Sequence, residues 1–296
     1  MSAPAFHDAG AIARALAPGA AVDALEAALR DGLDPAADPP RSSASAAGGE
    51  LLVMPSSAAG LGVKLVTVAE RGLPRIKGVY VLFDPDTLAP TAILDGIGLT
   101  DVRTSAVSAL AVRHLAARAP RRLVVFGTGP QARAHVRALR ATAPLEHVAL
   151  VGRDRARTEA AARELGAEPA TAGAVADADV ICCCTTAREP LFDGIAVRDD
   201  ATVVAIGSHE PGAREVDERL VARATVVVES RASALREAGD VIAAVEAGAI
   251  APDSLHELAA VVRGEVAPAA GRPRLFKSTG MAWEDLVLAR EVHRRA

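Results

Sequence analysis

The chain has 296 residues, of which 50% are hydrophobic, 24% are charged and only 2% are aromatic. This length corresponds to about two domains of ordinary size, and the apolar fraction excludes intrinsic disorder for most of the chain. The formal net charge of −4, from 33 basic and 37 acidic residues, gives no electrostatic footprint for nucleic acid or for an anionic membrane.

Apolar residues at helical spacing over 8–33, interrupted by Pro18-Gly19, predict two short helices in the N-terminal part of the chain. The segment 34–49 is rich in turn residues and predicts a flexible loop. Strand-like runs and one hairpin turn follow, with the predicted strands at 50–54, 62–69, 76–84 and 91–94 and the turn at 84–87.

A long helical pattern runs from Thr100 to about Arg118, with Thr100 or Asp101 as its N-cap. Beyond Pro120 apolar strands alternate with helices, which favours a doubly wound parallel sheet. The predicted strands of this part are 123–126, 147–151 and the apolar runs that begin at 178, 201 and 224. One more helix is predicted near the end of the chain, after Gly280.

Cys182, Cys183 and Cys184 are adjacent, which excludes an ordinary disulfide framework and the CxxC spacing of a zinc site. They are interpreted as small hydrophobic residues of a buried strand. The histidines have no Asp, Glu or Cys partners at metal-ligand spacing, so no metal is expected. The sequence shows neither a signal-peptide pattern nor an apolar run of about 18 residues, and the expected location is cytoplasmic.

Only three of the 33 basic residues are lysines: Lys64, Lys77 and Lys277. Codon bias toward arginine accounts for most of this asymmetry. Each lysine is still of interest, because a compact ammonium and a planar guanidinium do different chemistry. Lys64 lies within the apolar segment GVKLVTV, where a charged side chain either faces solvent or has a function.

The strongest motif is a glycine-rich turn directly after the strand 123–126. It consists of Gly127, Thr128, Gly129, Pro130, Gln131 and Ala132. In a strand–turn–helix context this GxGxxA pattern is typical of a dinucleotide site, where the helix N-terminus offers free N–H groups to a pyrophosphate. An ordinary turn with no ligand is the alternative.

The residue after the next strand bears on the choice of dinucleotide. An NAD site usually has Asp or Glu there, whereas this strand ends in Gly152-Arg153. Arg153 favours NADPH, because a guanidinium can pair with a 2′-phosphate. If the predicted strand ends one residue later, Asp154 takes this place, so NADH is the alternative dinucleotide.

Several further segments complete a pattern that spans the chain from about residue 40 to the end. In chain order they are MP at 54–55, GVKLVT at 62–67, LDG at 94–96, LTDVRT at 99–104, GSHEPG at 207–212, EVD at 215–217, EAGD at 237–240 and FKSTG at 276–280. Together with the glycine turn, they resemble the ornithine cyclodeaminase/mu-crystallin family in order and spacing.

This resemblance implies an α/β protein in which a Rossmann domain is inserted into a second, α+β domain for substrate binding and dimerisation. The Rossmann domain would cover 119–276, and the second domain would comprise 1–118 plus 277–296. A homodimer is the implied assembly. The implied partner is a small imino or amino acid.

Carried over by position, Arg41, Lys64 and Arg103 match the family residues that hold the substrate carboxylate and its imine region. A guanidinium fork suits a carboxylate. Lys77 lies where some members have Thr in the substrate pocket, and a solvated lysine is the equal alternative. Further cofactor contacts are implied at Thr104, Thr185, Gly207, Ser208 and Ser278, with Lys277 as a neighbour of that site.

His209 departs from the family pattern, since ornithine cyclodeaminases have an aspartate at this place. A histidine handles a second, cationic amine poorly near neutral pH, which disfavours cyclisation of ornithine. His209 either exchanges a proton with an imine, and is then catalytic with Lys64 and Arg103, or it caps the turn.

The implied reaction is reduction of Δ1-pyrroline-2-carboxylate or Δ1-piperideine-2-carboxylate by NADPH or NADH, giving L-proline or L-pipecolate. Lys64 would keep the imine nitrogen protonated, which makes the adjacent carbon a better hydride acceptor. The segments REPL at 188–191 and FKSTGMAWEDL at 276–286 resemble this ketimine reductase branch. The alternatives are an alanine-type amino acid dehydrogenase, an ornithine cyclodeaminase, and a non-catalytic binder of small molecules such as mu-crystallin with thyroid hormone.

Overall fold

A six-stranded sheet forms the first of two units in the computed structural model, which describes residues 3–72 and 76–296. Its strand order is β1-β6-β5-β4-β3-β2. The strands are β1 (Ala5–His7), β2 (Ser42–Ala46), β3 (Gly49–Ser56), β4 (Leu61–Ala69), β5 (Ile76–Phe83) and β6 (Pro90–Asp95). Strands β2 to β6 form an antiparallel meander, and β1 pairs with β6 in parallel.

Helices cover one face of this sheet and bury it. They are α1 (Ala9–Ala15), α2 (Pro18–Arg30), the start of α3 (Gly96–Leu115) and the C-terminal helix α10 (Ala282–Arg295). Helix α10 packs against α2 and strands β3, β4 and β5. It does so with an apolar stripe that includes Leu286, Ala289 and Val292, all fully buried. The C-terminal helix therefore completes the core of the first unit.

The second unit contains an eight-stranded, all-parallel sheet in the order β13-β12-β14-β11-β10-β7-β8-β9. The strands are β7 (Arg122–Phe126), β8 (His147–Val151), β9 (Glu168–Pro169), β10 (Val180–Cys183), β11 (Thr202–Ala205), β12 (Thr225–Val228), β13 (His256–Glu257) and β14 (Arg274–Lys277). The helices are α4 (Pro130–Thr142), α5 (Arg155–Leu165), α6 (Glu218–Arg223), α7 (Arg231–Glu237), α8 (Gly239–Glu246) and α9 (Leu258–Val262). The predicted α/β class with a parallel sheet is confirmed.

The order of the strands reverses at β7. The chain passes from β7 to β8 on one side and then crosses over to β10 and β11 on the other. In open sheets of this kind, ligands bind outside the carboxyl ends of the strands at such a reversal. The crevice at the ends of β7 and β10 is therefore where a dinucleotide site is expected.

Cys182 and Cys183 are fully buried in β10, as the sequence predicted, and Cys184 follows the strand. Burial raises the pKa of all three thiols. They stay neutral and pack as small apolar side chains.

Two local predictions were wrong, and a strand in the middle of the second sheet was missed. Helix α3 begins at Gly96, not at Thr100 or Asp101, and the Asp95 carboxylate accepts the N–H of Gly98 at 2.6 Å in its first turn. The predicted loop 34–49 contains the edge strand β2, whose five residues are all exposed. Strand β14 was not predicted, although it lies between β11 and β12 within the sheet.

The second unit comprises Ser108–Gly280, so the boundaries of the two units fall after Val107 and after Gly280. The sequence placed them after 118 and 276. The first boundary lies inside the continuous helix α3, which has no break in its sequence pattern that could mark it.

Within the two described ranges, none of the helices combines the length and the apolar character that crossing a bilayer requires.

Candidate active site

The glycine turn lies at the carboxyl end of β7 and opens α4. Gly127 has a φ of +117°, and a Cβ there would overlap the carbonyl oxygen of Cys184, so both its conformation and its space require glycine. Gly129 is the N-cap of α4 and makes no side-chain cap, while Pro130 occupies the first helical position. No side chain of the N-cap residue therefore occupies the N-terminus of α4, which is the place where a phosphate meets helix N–H groups.

The space above Gly129 is open. A Cβ on this residue would meet nothing within 4 Å, although its φ of −85° permits any side chain. Glycine is thus not needed for folding at this place, and the open space fits a pyrophosphate that approaches the backbone. The space and the backbone conformation of the turn therefore fit a bound dinucleotide.

Arg153 follows β8 and is exposed. Asp154, the alternative residue for a ribose, is the N-cap of α5, and its Oδ1 accepts the N–H of Arg157 at 3.0 Å. Arg155 is paired with Glu159 at 2.8 Å. Among the described residues, Arg153 makes no ion pair or hydrogen bond. The end of β8 therefore presents an available guanidinium and a carboxylate that already serves as a cap.

Thr185, Gly207 and Ser278 follow β10, β11 and β14, so the other predicted cofactor residues of this unit lie at the same edge of the sheet. Two buried carboxylates to which the sequence analysis assigned no role hold these strand ends. The first, Glu215, accepts the N–H groups of Thr185 at 2.8 Å and of Gly207 at 2.7 Å. Ser208 is buried here too, and its hydroxyl donates to the carbonyl of Ala213.

The second carboxylate, Glu229, holds the end of β14 in the same way. Its Oε1 accepts the hydroxyl of Ser278 at 2.7 Å, and its Oε2 accepts the N–H groups of Thr279 and Gly280, each at 2.9 Å. The backbone beyond the ladder thus obtains its hydrogen bonds from a side chain.

In the first unit, Lys64 is buried in the middle of β4, with a relative exposure of 2%. Its Nζ lies 3.2 Å from Oδ1 of Asp285 in α10. The Nη1 of Arg103 in α3 lies 3.0 Å from Oε2 of Glu284, and its Nε lies 3.9 Å from Oδ1 of Asp285. Lys64 and Arg103 therefore lie together around the Asp285 carboxylate. With Glu284 they form a cluster of two cations and two anions.

Burial lowers the pKa of Lys64 to about 8, and the nearby Arg103 lowers it as well. The Asp285 carboxylate acts in the opposite direction, through its charge and its hydrogen bond. Lys64 is thus an ammonium at neutral pH that gives up its proton far more readily than an exposed lysine. These are the properties of a general acid.

The sole tyrosine and the sole tryptophan of the chain belong to the same region. Tyr80 pairs with Lys64 across β4 and β5, and its hydroxyl, which is buried, has no hydrogen-bond partner among the described residues. Burial and the Asp285 charge raise the pKa of this phenol, so it stays neutral. Trp283 is buried in the first turn of α10, directly before Glu284.

Arg41 is half-buried and precedes β2. Ser42 pairs with Val53 on β3, and Met54, the next residue, pairs with Lys64. Arg41 therefore lies in the row of Lys64 but two strands away, which is about 10 Å between backbones. Thr104 is buried in α3, one residue after Arg103.

One predicted residue of the first unit is not brought to the Lys64–Arg103 cluster. Lys77 is exposed and opposes Thr67 on β4, whereas Tyr80, three residues on, opposes Lys64. Because side chains alternate along a strand, Lys77 lies on the other face of the sheet. His209 is exposed in the loop after β11. No three His, Cys, Asp or Glu side chains within the described ranges are placed to hold a metal ion.

Sequence reasoning missed Glu284 and Asp285 as partners of the two cations. Both stand in the first turn of α10, where acidic residues complement the helix dipole and need no further partner to explain them. The available signal was their position in an apolar segment, AWEDLVLA, since charged residues at a buried helix face require counter-ions.

These features define a protein of two parts: a doubly wound nucleotide-binding unit, and a unit with a buried lysine–arginine–carboxylate cluster. The model of the ornithine cyclodeaminase/mu-crystallin family matches residues 4–296, and the chain belongs to this family.

Similar proteins act on cyclic imines, as their names state. The Δ1-pyrroline-2-carboxylate reductase of Bacillus cereus is 35% identical over 267 residues, which cover 83% of this chain and 81% of that protein. The Δ1-pyrroline-2-carboxylate/Δ1-piperideine-2-carboxylate reductase of Azospirillum brasilense is 38% identical over 255 residues, covering 82% and 80%.

A solved structure of similar fold is the Δ1-pyrroline-2-carboxylate reductase of Thermococcus litoralis in complex with NADH and L-proline. Its TM-score is 0.91 at 27% identity, with 99% of this chain and 97% of that chain covered.

The open space at Gly129 gives a test that separates folding from binding. We expect Gly129→Ala to change the free energy of unfolding by less than about 0.5 kcal/mol, because the methyl group meets no protein atom. We expect it to weaken dinucleotide binding about tenfold or more, because the methyl group occupies the place of the pyrophosphate. Calorimetric titration with NADPH and NADH measures the second effect.

Gly173→Ala is the matched control, since a Cβ there makes only an ordinary contact of 3.7 Å with Thr171 Oγ1. It should leave both stability and binding unchanged. Unaltered dinucleotide affinity in Gly129→Ala would contradict the assignment of the turn.

Proposed function

We propose that this chain reduces a small cyclic imino acid, Δ1-pyrroline-2-carboxylate or Δ1-piperideine-2-carboxylate, to L-proline or L-pipecolate with a nicotinamide dinucleotide. The observation that carries the proposal is the buried Lys64–Asp285 pair beside Arg103, in a chain that also has a dinucleotide turn. The names of its relatives support the same reaction.

The charges of the first unit fit an anionic imine. Lys64 and Arg103 are balanced by Asp285 and Glu284, so one more negative charge requires one more cation. Arg41, in the same row of the sheet, is a further cation of this unit. We infer that Arg41 and Arg103 hold the substrate carboxylate, because a guanidinium fork can make two parallel hydrogen bonds to it.

Lys64 places its proton on the imine nitrogen. The incoming carboxylate raises the pKa of Lys64, which keeps the ammonium charged until the proton moves. A bound reduced nicotinamide supplies the hydride that the imine carbon accepts. The C=N bond thereby gains one hydride at carbon and one proton at nitrogen, and Asp285 stabilises the ammonium of Lys64 before the transfer.

We also propose that the dinucleotide is NADPH, with Arg153 as the partner of its 2′-phosphate and Asp154 kept as the cap of α5. The homodimer and the cytoplasmic location stay predictions from the sequence.

The direct test is oxidation of NADPH or NADH by purified protein with each of the two cyclic imines. Turnover with at least one imine is expected. Pyruvate with ammonia, and L-ornithine with NAD+, are run in parallel, because they report an alanine-type dehydrogenase and a cyclodeaminase. Binding of dinucleotide without turnover of any substrate would point to a non-catalytic binder.

The pH dependence tests the role of Lys64. Since its pKa is about 8, kcat/KM for the imine should fall about tenfold per pH unit above that value, as the ammonium loses its proton. Asp285→Asn removes the charge that raises this pKa, so the fall should begin at lower pH. Initial rates from about pH 6 to pH 10 measure both profiles.

The substrate titrates identically in every variant, so the shift between profiles is the informative quantity. Lys64→Arg keeps a charge that does not titrate in this range, so its remaining activity should lack the part of the fall that belongs to Lys64. If the profiles of the wild type and Asp285→Asn coincide, Lys64 is not the titrating group.

The choice of dinucleotide is tested at Arg153. Arg153→Ala should raise KM for NADPH about 10- to 100-fold, because a hydrogen-bonded charge is worth about 1.5–3 kcal/mol, and leave KM for NADH unchanged. Arg155→Ala removes a neighbouring arginine that is already paired with Glu159 and serves as the control. Equal effects of Arg153→Ala on both dinucleotides would exclude the 2′-phosphate contact.

A further inference from the structure

Three charged side chains are buried together in the second unit, far from water and outside the reaction described above. Glu215, Asp240 and Lys277 have relative exposures of 0%, 1% and 1%. Glu215 lies in the loop between β11 and α6, Asp240 in the first turn of α8, and Lys277 at the last position of β14. Burial of this kind is costly unless the groups are paired and hydrogen-bonded.

The carboxylate of Glu215 joins two strand ends. Its Oε1 accepts the N–H of Thr185 at 2.8 Å and the Thr185 hydroxyl at 2.7 Å, and its Oε2 accepts the N–H of Gly207 at 2.7 Å. Both N–H groups lie beyond the ladder, which ends at Cys183 and Ala205. Without Glu215 they would have no partner from the sheet.

Glu215 is itself held by the other two residues. Oδ1 of Asp240 accepts the backbone N–H of Glu215 at 2.6 Å and that of Val216 at 2.9 Å. Oδ2 of Asp240 lies 3.0 Å from Nζ of Lys277. The series therefore runs from the end of β14, through α8, to the ends of β10 and β11.

The place of these strand ends in the sheet indicates which half of a dinucleotide they face. The pyrophosphate belongs at the start of α4, and the adenosine half lies toward β8 and Arg153. Strands β10 and β11 lie on the other side of β7, so their ends face the remaining half, which carries the nicotinamide.

We propose that Lys277, Asp240 and Glu215 are positioning residues for the nicotinamide half of the site, and that they act by fixing the backbone of Thr185 and Gly207. The proposal rests on the dinucleotide site proposed above. The adenosine half does not depend on these residues, since the glycine turn and Arg153 hold it.

The charges explain why a lysine is required. Burial raises the pKa of Glu215, and the ammonium of Lys277 opposes this effect. The three thiols of residues 182–184 lie near Glu215 as well, and these thiols stay neutral because burial raises their pKa. Without Lys277, two carboxylates would be buried with no cation, and burial would raise the pKa of Glu215 without the opposing effect of that ammonium. The Asp240 carboxylate, which lies against Lys277 and holds the backbone of Glu215, would lose its cation as well, so the hold on both strand ends would weaken.

The test compares binding of whole dinucleotides with binding of fragments that lack nicotinamide. Lys277→Met should weaken the binding of NADPH and NADH about tenfold or more near pH 6.5, and leave 5′-ADP and 2′,5′-ADP unchanged. Calorimetric titration measures each affinity without any imine, so failure of the reductase proposal would leave this result interpretable.

Two further variants keep the test decisive. The double variant Lys277→Met/Asp240→Asn has the same net buried charge as the wild type, and a neutral amide at position 240 needs no cation beside it. This variant should therefore fold and recover dinucleotide affinity relative to Lys277→Met. Arg214→Met removes the cation next to Glu215 in sequence, which pairs with Glu218 near the surface, and should change nothing. Equal weakening of dinucleotides and fragments, no weakening of either, or no recovery in the double variant would overturn the proposal.

Discussion

Two cations are buried in the first unit, and their burial makes the stability of this unit depend on the last helix of the chain. Lys64 and Arg103 lie out of water, and the carboxylates that neutralise them belong to the last helix of the chain. Asp285 is 221 residues from Lys64 in sequence, with the whole second unit inserted between them. Because a buried charge without a partner costs several kcal/mol, the sheet of the first unit cannot reach its stable form before α10 has docked.

In the second unit, the groups that would be buried without a partner are backbone N–H groups. Its parallel ladders are only four or five residues long for most strands, so N–H groups beyond them need other acceptors. Glu215 and Glu229 provide these acceptors at the ends of β10, β11 and β14. A carboxylate in such a place orders the loops at which ligands bind in this class of sheet, and it does so without occupying the crevice.

The parts of the fold that could be predicted from the sequence are those with local signals. The break at Pro18-Gly19, the turn at 84–87 and the glycine turn after β7 each specify their backbone within a few residues. Strand β2 has the sequence SSASA, without any apolar alternation, and forms because β3 offers it a partner. Strand β14 is four residues long and begins and ends with a charged residue, so its central place in the sheet depends on distant strands.

The residues of the site divide in the same way into those with a local signal and those without one. Lys64 could be singled out because a charge in an apolar strand is a local anomaly, whereas its partner could not, since the packing of α10 on β4 is a property of the folded first unit.

The single tryptophan gives the first unit its own optical signal. Trp283 is buried where α10 begins, directly before the acidic pair. Since it is the single tryptophan, the indole fluorescence of the protein reports whether this helix is docked on the first unit. Far-ultraviolet dichroism, by contrast, sums the helices of both units. A denaturation followed by both methods would therefore resolve the stability of the first unit from that of the whole chain, and a coincidence of the two curves would mean that the units unfold as one.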